Sequence, residues 1–402
     1  MAENGNGRGA GRRANGGPMK IAVVIQRYGK EITGGSESLC RETVRRLAQR
    51  HAITVYTTTA LDYVTWRDHY PEGESIDDRV TVRRFRSLRE RDQESFNRYS
   101  DWIYANEHAD DDERKWLELQ GPYCPELIEA LRTDQGHYDA FLFYTYLYYP
   151  TVEGLKVVDR PVVMVPTAHR EPAASLRMYR DVYRRPDGFV FNTHAEKRLV
   201  DEAYQPPARF REVAGVGISV PEALGRDMRL ETPSLLYAGR IDSGKGCAEL
   251  IEFFIRFRVH VMPCHLYFMG SLHMQLPQHP EIHYLGYVSE QEKFAAYGAA
   301  TVTVVPSRLE SLSIVALEAM AMGRPVLVSG GSDVLRDHCL RSNAGLFYDN
   351  FDEFGETLSL LLRHRELAAS MGENGRRYVR ENYTWERILE KYERTLQKAS
   401  HP

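Results

Sequence analysis

Two glutamates, Glu310 and Glu318, are separated by seven residues and could bind the hydroxyl groups of a sugar. A carboxylate only accepts hydrogen bonds, so two neighbouring hydroxyls can donate to it. An apolar run, residues 301–305, precedes Glu310, and Gly323 and Pro325 close the segment. This pattern predicts a strand, a polar turn and a helix, the arrangement at which α/β proteins bind phosphorylated ligands. An amphipathic helix with one capping glutamate explains the same residues equally well.

The helix after Glu310 would present its first backbone N–H groups to an anion. The residues that open it are Ser311, Leu312, Ser313 and Ile314. The two serines are suited to cap the helix. Glu310 would repel phosphate and is expected to face a sugar, whereas Glu318, deeper on the helix, is expected to accept the hydroxyls of a ribose.

A second motif places two cations beside a glycine-rich turn. Arg240 follows the apolar run 234–238, and Lys245 stands where the next helix should begin. A cation at a helix N-terminus opposes the helix dipole. A bound diphosphate would explain both positions, because arginine offers a fork and lysine a point charge to phosphate oxygens. A solvated turn with two surface cations is the alternative.

Together these motifs resemble the donor half of family 4 glycosyltransferases. The resemblance rests on Gly239-Arg240-x4-Lys245-Gly246, followed about seventy residues later by Glu310-x7-Glu318. It implies the GT-B fold, in which two Rossmann-like α/β domains face each other across a cleft and a C-terminal helix crosses back to the first domain. It also implies that Arg240, Lys245, residues 311–314 and Glu318 bind the donor and that Glu310 is catalytic.

The amino-terminal half carries three further segments similar to that family. Gly34 and Gly35 stand in a GGxE loop after the first strand, His169 stands in a loop like that of the family's active-site histidine, and residues 215–221 resemble the interdomain segment. The resemblance implies that His169 is catalytic and that Gly34 and Gly35 bind substrate. It covers nearly all of residues 19–390.

The sequence departs from the family pattern at two places that matter for the site. Leu312-Ser313 stands where the family often has Phe-Gly, and Arg170 stands where an acidic residue is expected. The first departure adds a side chain beside the donor diphosphate. The second puts the acceptor site in doubt more than the donor site.

The composition is that of an ordinary globular protein, with 402 residues and a net charge of −4 that does not suggest nucleic acid as a partner. The five cysteines lack C-x-x-C spacing and are expected to be reduced core thiols. Residues 1–18 are expected to form a disordered tail rather than a signal peptide. No apolar stretch approaches the roughly 20 residues that span a bilayer, so we expect a cytoplasmic protein.

Apolar runs alternate with helical patterns throughout, which favours parallel sheets. Six strands are predicted in the first half, near residues 21–26, 53–58, 80–85, 141–144, 162–166 and 189–191. Six more are predicted near residues 235–238, 266–269, 284–285, 302–305, 326–328 and 345–348. With the resemblance, these strands imply an acceptor domain over residues 19–216, a donor domain over 217–383, and a C-terminal helix over 384–402.

The predicted function is transfer of a sugar, with retention of anomeric configuration, from a nucleotide diphosphate sugar to a saccharide or lipid-linked acceptor, as in surface polysaccharide or glycoconjugate synthesis. The resemblance implies neither a cofactor nor a metal in the site. Nucleotide-sugar 2-epimerases share the fold and are one alternative, and a catalytically degraded nucleotide-sugar-binding scaffold is another. Two arginine clusters, residues 83–91 and 177–185, suggest either a solvated face or peripheral contact with the anionic inner face of a membrane.

Overall fold

The computed structural model describes residues 17–32, 34–224 and 228–400, and the chain forms two sheets. The first sheet has the strand order β3-β4-β2-β1-β5-β6-β7-β8, parallel except where β3 pairs with β4. Its strands are β1 (Lys20–Val24), β2 (Ala52–Thr58), β3 (Gly73–Asp77), β4 (Val80–Phe85), β5 (Ala140–Tyr144), β6 (Val162–Val165), β7 (Gly188–Phe191) and β8 (Phe210–Val213).

The central strands of this sheet are continuous apolar runs because helices cover both of its faces. All residues of β5, β6 and β7 are buried, as expected for parallel strands in a three-layer arrangement. The helices of this half are α1 (Gly35–Leu47), α2 (Gln93–Ala105), α3 (Asp110–Gln120), α4 (Pro125–Asp134), α5 (Tyr149–Val157), α6 (Met178–Arg184) and α7 (His194–Tyr204).

The second sheet is parallel throughout, with the order β11-β10-β9-β12-β13-β14. Its strands are β9 (Ser234–Ala238), β10 (His265–Met269), β11 (Ile282–Gly286), β12 (Val302–Val305), β13 (Val326–Ser329) and β14 (Gly345–Tyr348). Its helices are α8 (Cys247–His260), α9 (Glu290–Ala299), α10 (Ile314–Ala321), α11 (Asp333–Ser342), α12 (Phe351–Arg363) and α13 (Arg365–Asn382).

The last helix, α14 (Trp385–Ser400), returns to the first sheet and packs against β5 to β8 and α1. Its buried side chains recur at helical spacing, with Ile388, Tyr392 and Leu396 fully enclosed. The chain thus crosses between the two sheets twice. The two crossing segments contact each other, because the Ile218 N–H donates a hydrogen bond to the Tyr383 carbonyl at 2.7 Å. The predicted return of the C-terminal helix to the first domain is confirmed.

All twelve predicted strands are present, and the structure has two further strands, β3 and β8, that were not predicted. β3 and β8 lie at the two edges of the first sheet, and neither contains a fully buried residue. Over residues 171–183 the sequence pattern predicts one continuous helix, but the structure has a 3-10 turn (Pro172–Ser175) followed by α6. The predicted domain boundary at 216/217 falls in the segment that joins β8 to β9. Most of the predicted tail, residues 1–16, lies outside the described residues.

The five cysteines are all buried and unpaired. Over the described ranges, no helix combines the length and apolar character needed to cross a membrane.

Candidate active site

Two adjoining cavities, of about 320 and 300 Å³, lie between the two sheets. The first is lined by Arg240, the second by His169. The residues common to both walls are Gly35, Ser36, Thr167, Lys245, Glu310 and Ser311. A larger cavity of about 670 Å³ is lined by α3, α5 and α6 and contains none of the predicted site residues. The two sequence motifs and the histidine loop therefore meet in one cleft.

The turn after β9 places both predicted cations on the cleft wall. Asp242 holds this turn, since it accepts hydrogen bonds from the Arg240 guanidinium and from the Lys245 backbone N–H. Gly246, which begins α8, has φ +78°, and an added Cβ would lie 2.6 Å from the Pro306 carbonyl oxygen. Glycine is therefore required at this position if the turn is to approach the loop that follows β12.

Glu310 and Lys245 form an ion pair across the junction of the two cavities. Nζ of Lys245 lies 2.8 Å from Oε1 of Glu310, and the Glu310 side chain is only 15% exposed. The arrangement places one carboxylate and one ammonium group where the cavities meet. A ligand with both hydroxyl groups and anionic oxygens could engage the two at once.

The helix after this loop begins later than predicted, at Ile314. Ser313 is its N-cap residue, but the predicted side-chain cap is wrong, because neither Ser311 nor Ser313 makes it. Ser313 instead has φ +60° and ψ 69°, and its hydroxyl is buried without a hydrogen-bond partner. An unpaired buried hydroxyl is costly unless a ligand satisfies it. Ser313 lines the first cavity at the N-terminus of α10.

Three non-glycine residues on the walls of the two cavities have a strained backbone conformation. Thr145, Thr167 and Ser313 all have positive φ, between +52° and +63°, and all three line the cleft. Two of them are β-branched, for which this conformation is a genuine outlier. Strain of this kind persists where the surroundings impose it, and it clusters at functional sites.

Glu318 lies outside the walls of both cavities. It is 7% exposed, and its carboxylate accepts hydrogen bonds from Lys293 Nζ at 2.7 Å and from the Tyr297 hydroxyl at 3.1 Å. Burial raises the pKa of this carboxyl, and Lys293 partly offsets that rise. A ribose would therefore have to share Glu318 with Lys293, and the ribose role of Glu318 stays a prediction.

The two glycines of the GGxE loop have different surroundings. Gly34 has φ −67°, and an added Cβ would lie 2.2 Å from the Glu37 carboxylate. Gly35 opens α1, lines both cavities, and has open space where a Cβ would stand. Glu37 is buried and bound by Arg27 and Gln26, both of which donate at 3.0 Å. Gly34 therefore makes room for this internal ion pair, whereas Gly35 faces the cleft.

His169 lies at the mouth of the second cavity with 46% of its side chain exposed. Its Nε2 lies 3.7 Å from Glu171, which accepts a hydrogen bond from the Tyr146 hydroxyl at 2.5 Å. The loop itself is fastened by Glu196, whose buried carboxylate accepts from the backbone N–H of Ala168 at 2.7 Å. Burial raises the pKa of Glu196 to about 7, although backbone N–H donors act against that rise.

Sequence reasoning missed two residues that hold the cleft loops in place. Glu196 also accepts from the Asn192 N–H at 2.6 Å, so it ties the histidine loop to the start of α7. His338, on α11, is buried and donates from Nε2 to the Leu312 carbonyl at 2.8 Å. Burial lowers the pKa of His338, which favours the neutral ring. Neither residue belongs to a local motif, so only the three-dimensional contacts reveal them.

Arg170, the unexpected residue of the histidine loop, lines a third cavity of about 260 Å³ together with His169 and Glu310. Its side chain is 71% exposed and lies 3.9 Å from Asp333 of α11 and 4.0 Å from Glu202 of α7. It therefore bridges the two domains on the wall of this third cavity.

Comparison with known proteins identifies the second domain. Residues 232–364 match the model of the family described as Glycosyl transferases group 1. An uncharacterized glycosyltransferase of Methanocaldococcus jannaschii is 30% identical over 168 residues, which cover 38% of this chain and 42% of that protein. The capsular polysaccharide biosynthesis glycosyltransferase CapM of Staphylococcus aureus is 26% identical over 179 residues, which cover 40% of this chain and 46% of CapM. The chain thus spans less than half the length of these curated relatives.

Among solved structures, one described as trehalose-6-phosphate from E. coli bound with UDP-2-fluoro glucose has a TM-score of 0.67 to this chain. The match covers 95% of this chain and 99% of that chain at 12% identity, which shows a shared fold. The fold is GT-B, and residues 232–364 match the group 1 glycosyltransferase family. The family and the fold predicted from the sequence motifs are confirmed.

Proposed function

We propose that this protein is a retaining glycosyltransferase that moves a sugar from a nucleoside diphosphate sugar to a hydroxyl of a saccharide or lipid-linked acceptor. The second domain, residues 217–383, would bind the donor, and the first, residues 19–216, the acceptor. The solved relative described above contains UDP-2-fluoro glucose, so UDP-glucose is the first donor to test. Polysaccharide synthesis is the proposed context, because CapM carries that description.

The observation that carries the proposal is the start of α10. Ser313 offers a buried hydroxyl without a partner, beside the free N–H groups of the helix and on the same cavity wall as Arg240 and Lys245. All of these groups donate hydrogen bonds or carry positive charge, so the wall fits an anion with several oxygens. A diphosphate has that chemistry. The contribution of the wall would grow as the leaving diphosphate gains charge in the transition state.

The remaining site residues support a division of roles. Glu310 stands at the junction of the cavities, where the donor sugar would follow its diphosphate, and would orient the hydroxyls of that sugar. His169 faces the second cavity, where it would donate to a sugar hydroxyl or a phosphate oxygen. In a retaining reaction the acceptor hydroxyl would attack on the face that the diphosphate leaves, and a phosphate oxygen would take the hydroxyl proton.

The two cations also bear on the need for a metal. Arg240 and Lys245 would supply the positive charge that a divalent ion supplies to a leaving diphosphate in metal-dependent enzymes. We therefore propose that transfer needs neither a metal nor another cofactor.

We propose a cytoplasmic location, and contact with an anionic membrane surface remains a weaker proposal. Most of the arginines that suggested it are engaged within the fold, as in the pairs Arg86–Asp68 and Arg89–Glu118. Of the second cluster, Arg180 and Arg184 are exposed. The scaffold alternative keeps its argument, since Arg170 lines a cavity of about 260 Å³ that His169 and Glu310 also line.

Single substitutions of the two cations test the proposal. Arg240→Ala and Lys245→Ala should each lower the transfer rate with the cognate donor by about 10²- to 10³-fold, as loss of a transition-state donor does elsewhere. Lys197→Ala is the matched control, because Lys197 is 32% exposed and pairs with Asp201 at 2.7 Å, much as Lys245 (35% exposed) pairs with Glu310. Normal turnover in both cleft variants would contradict the diphosphate site. Free epimer formed without acceptor would favour the epimerase alternative.

A further inference from the structure

A cluster of two histidines and one glutamate lies on the second domain, outside both cleft cavities. Glu231 belongs to the segment before β9, His265 is the first residue of β10, and His283 lies in β11. Nδ1 of His265 is 3.1 Å from Nε2 of His283, and Nε2 of His265 is 3.4 Å from Oε2 of Glu231. One ligand atom from each residue lies within 4.8 Å of the other two.

The fold holds these three residues together through Tyr267. The parallel register of β10 and β11 places Tyr267 beside His283, and the two rings stack with centroids 4.5 Å apart. The Tyr267 hydroxyl also accepts a hydrogen bond from the Glu231 backbone N–H at 3.0 Å. Tyr267 is 6% exposed, so a buried ring fixes both the imidazole of His283 and the backbone of Glu231. The position of the His283 ring and of the Glu231 backbone is therefore set by the fold before any ion binds.

We propose that Glu231, His265 and His283 bind a divalent transition-metal ion, with Zn²⁺ as the expected occupant. Two imidazoles and one carboxylate form a known zinc ligand set that leaves a fourth position open. Ligand nitrogens about 2.0–2.1 Å from a tetrahedral zinc lie about 3.3 Å apart, close to the 3.1 Å that separates the two rings here. The Glu231 side chain is 71% exposed and can turn to complete the site without disturbing the core.

The position of the cluster indicates a structural role for the ion. β9 and β10 run in register, so that His265 pairs with Ser234 and Met269 with Ala238. Ala238 lines the first cavity, and the four residue steps from Ser234 to Ala238 span about 13 Å. The ion would therefore not touch the donor. Because Glu231 lies in the segment that joins the two sheets, the ion would fasten the end of this linker to the edge of the second sheet.

The test uses untagged full-length protein treated with EDTA and titrated with ZnCl₂ by isothermal calorimetry. The expected result is one Zn²⁺ per chain and a melting temperature that rises with Zn²⁺ concentration, as it must for an ion that binds the folded state. Co²⁺ in place of Zn²⁺ should give the visible absorption of a low-symmetry site. His265→Ala and His283→Ala should each weaken Zn²⁺ binding about tenfold or more, because loss of a ligand costs at least as much as loss of a supporting neighbour.

Two further variants keep the test decisive. Glu231→Gln changes an exposed side chain and should weaken Zn²⁺ binding without altering the fold, which circular dichroism would verify. His279→Ala is the matched control, since His279 is also partly buried and lies 3.1 Å from a carboxylate, Glu281, but outside the cluster. A wild-type protein that binds no more Zn²⁺ than His265→Ala, or a His279→Ala variant that loses as much, would overturn the proposal. The two histidines would then share an ordinary N–H···N hydrogen bond.

Discussion

Replacing Ser313 by glycine should make the free protein more stable and its complex with a nucleoside diphosphate weaker. Ser313 has φ +60°, and its buried hydroxyl has no partner. The left-handed conformation costs a non-glycine residue roughly 1–2 kcal/mol, whereas glycine loses about 0.5–1 kcal/mol more chain entropy on folding. The substitution therefore stabilises by up to about 1.5 kcal/mol through the backbone. Removal of an unsatisfied hydroxyl acts in the same direction.

The effect of Ser313→Gly on binding has the opposite sign. A hydrogen bond to a charged phosphate contributes about 1.5–3 kcal/mol, and its loss corresponds to a Kd about 10- to 140-fold higher. Thermal denaturation of the ligand-free protein and calorimetry with UDP measure the two effects separately. Asn343→Gly is the control, because Asn343 has φ +51° at the end of α11 and lies outside the cavity walls. It should relieve strain and leave UDP affinity unchanged.

Two results would refute this reasoning. If Ser313→Gly binds UDP as tightly as the wild type, the hydroxyl does not face the diphosphate. If Ser313→Gly melts at a lower temperature than the wild type, the hydroxyl has a partner within the fold, and the loss of that partner outweighs the relief of backbone strain.

Four further predictions concern the rest of the cleft. Gly35→Val should lower the transfer rate about 100-fold, because the valine side chain would displace substrate. The melting temperature should change little, since the added side chain meets open space, and a large loss of stability would contradict this. His169→Ala should impair transfer while calorimetry still detects UDP binding, and loss of UDP binding would refute the division between the domains. Glu318→Gln should weaken UDP binding, whereas Glu310→Gln should mainly slow turnover and alter sugar choice; the reverse pattern in calorimetry would exchange their roles. Burial raises the pKa of Glu196 to about 7 in the folded protein, from about 4.5 in the unfolded chain. The stabilisation that this shift provides is therefore fully present below pH 4.5 and is lost as the pH rises through 7. The melting temperature of the wild type, relative to that of Glu196→Gln, should fall between pH 5 and 8, and a pH-independent difference would disprove this.

The sequence predicted the sheets better than the loops, for a physical reason. β12 and β13 are short apolar runs bounded by turn residues, and such runs indicate buried strands without knowledge of their neighbours. β8 escaped prediction because Phe-Arg-Glu-Val at a sheet edge has no such pattern. The caps on α10 were predicted from serine propensity, but the packing of the loop decided the outcome. His338 holds the Leu312 carbonyl, and Ser313 adopts the left-handed conformation.

The candidate site could be predicted only where its residues stand in a local motif. Arg240, Lys245 and Glu310 lie within or beside short turns, and the resemblance of these turns to the motifs of a known family implied that the three residues share one cleft. Glu196 contacts a backbone N–H 28 residues away, and His338 contacts a carbonyl 26 residues away. Contacts between residues this far apart in the sequence produce no local spacing pattern. The residues that hold the loops in position could therefore be identified only from the structure.

The return of α14 to the first sheet has a consequence for the order in which this protein can fold during synthesis. Domains usually fold as they leave the ribosome, the amino-terminal one first. Here Ile388, Tyr392 and Leu396 complete the core that β5 to β8 begin, and these side chains emerge after the whole second sheet. The nascent first domain therefore exposes an apolar sheet face while the second domain is being made. A chaperone that shields this face, or rapid completion of the chain, would protect it from aggregation.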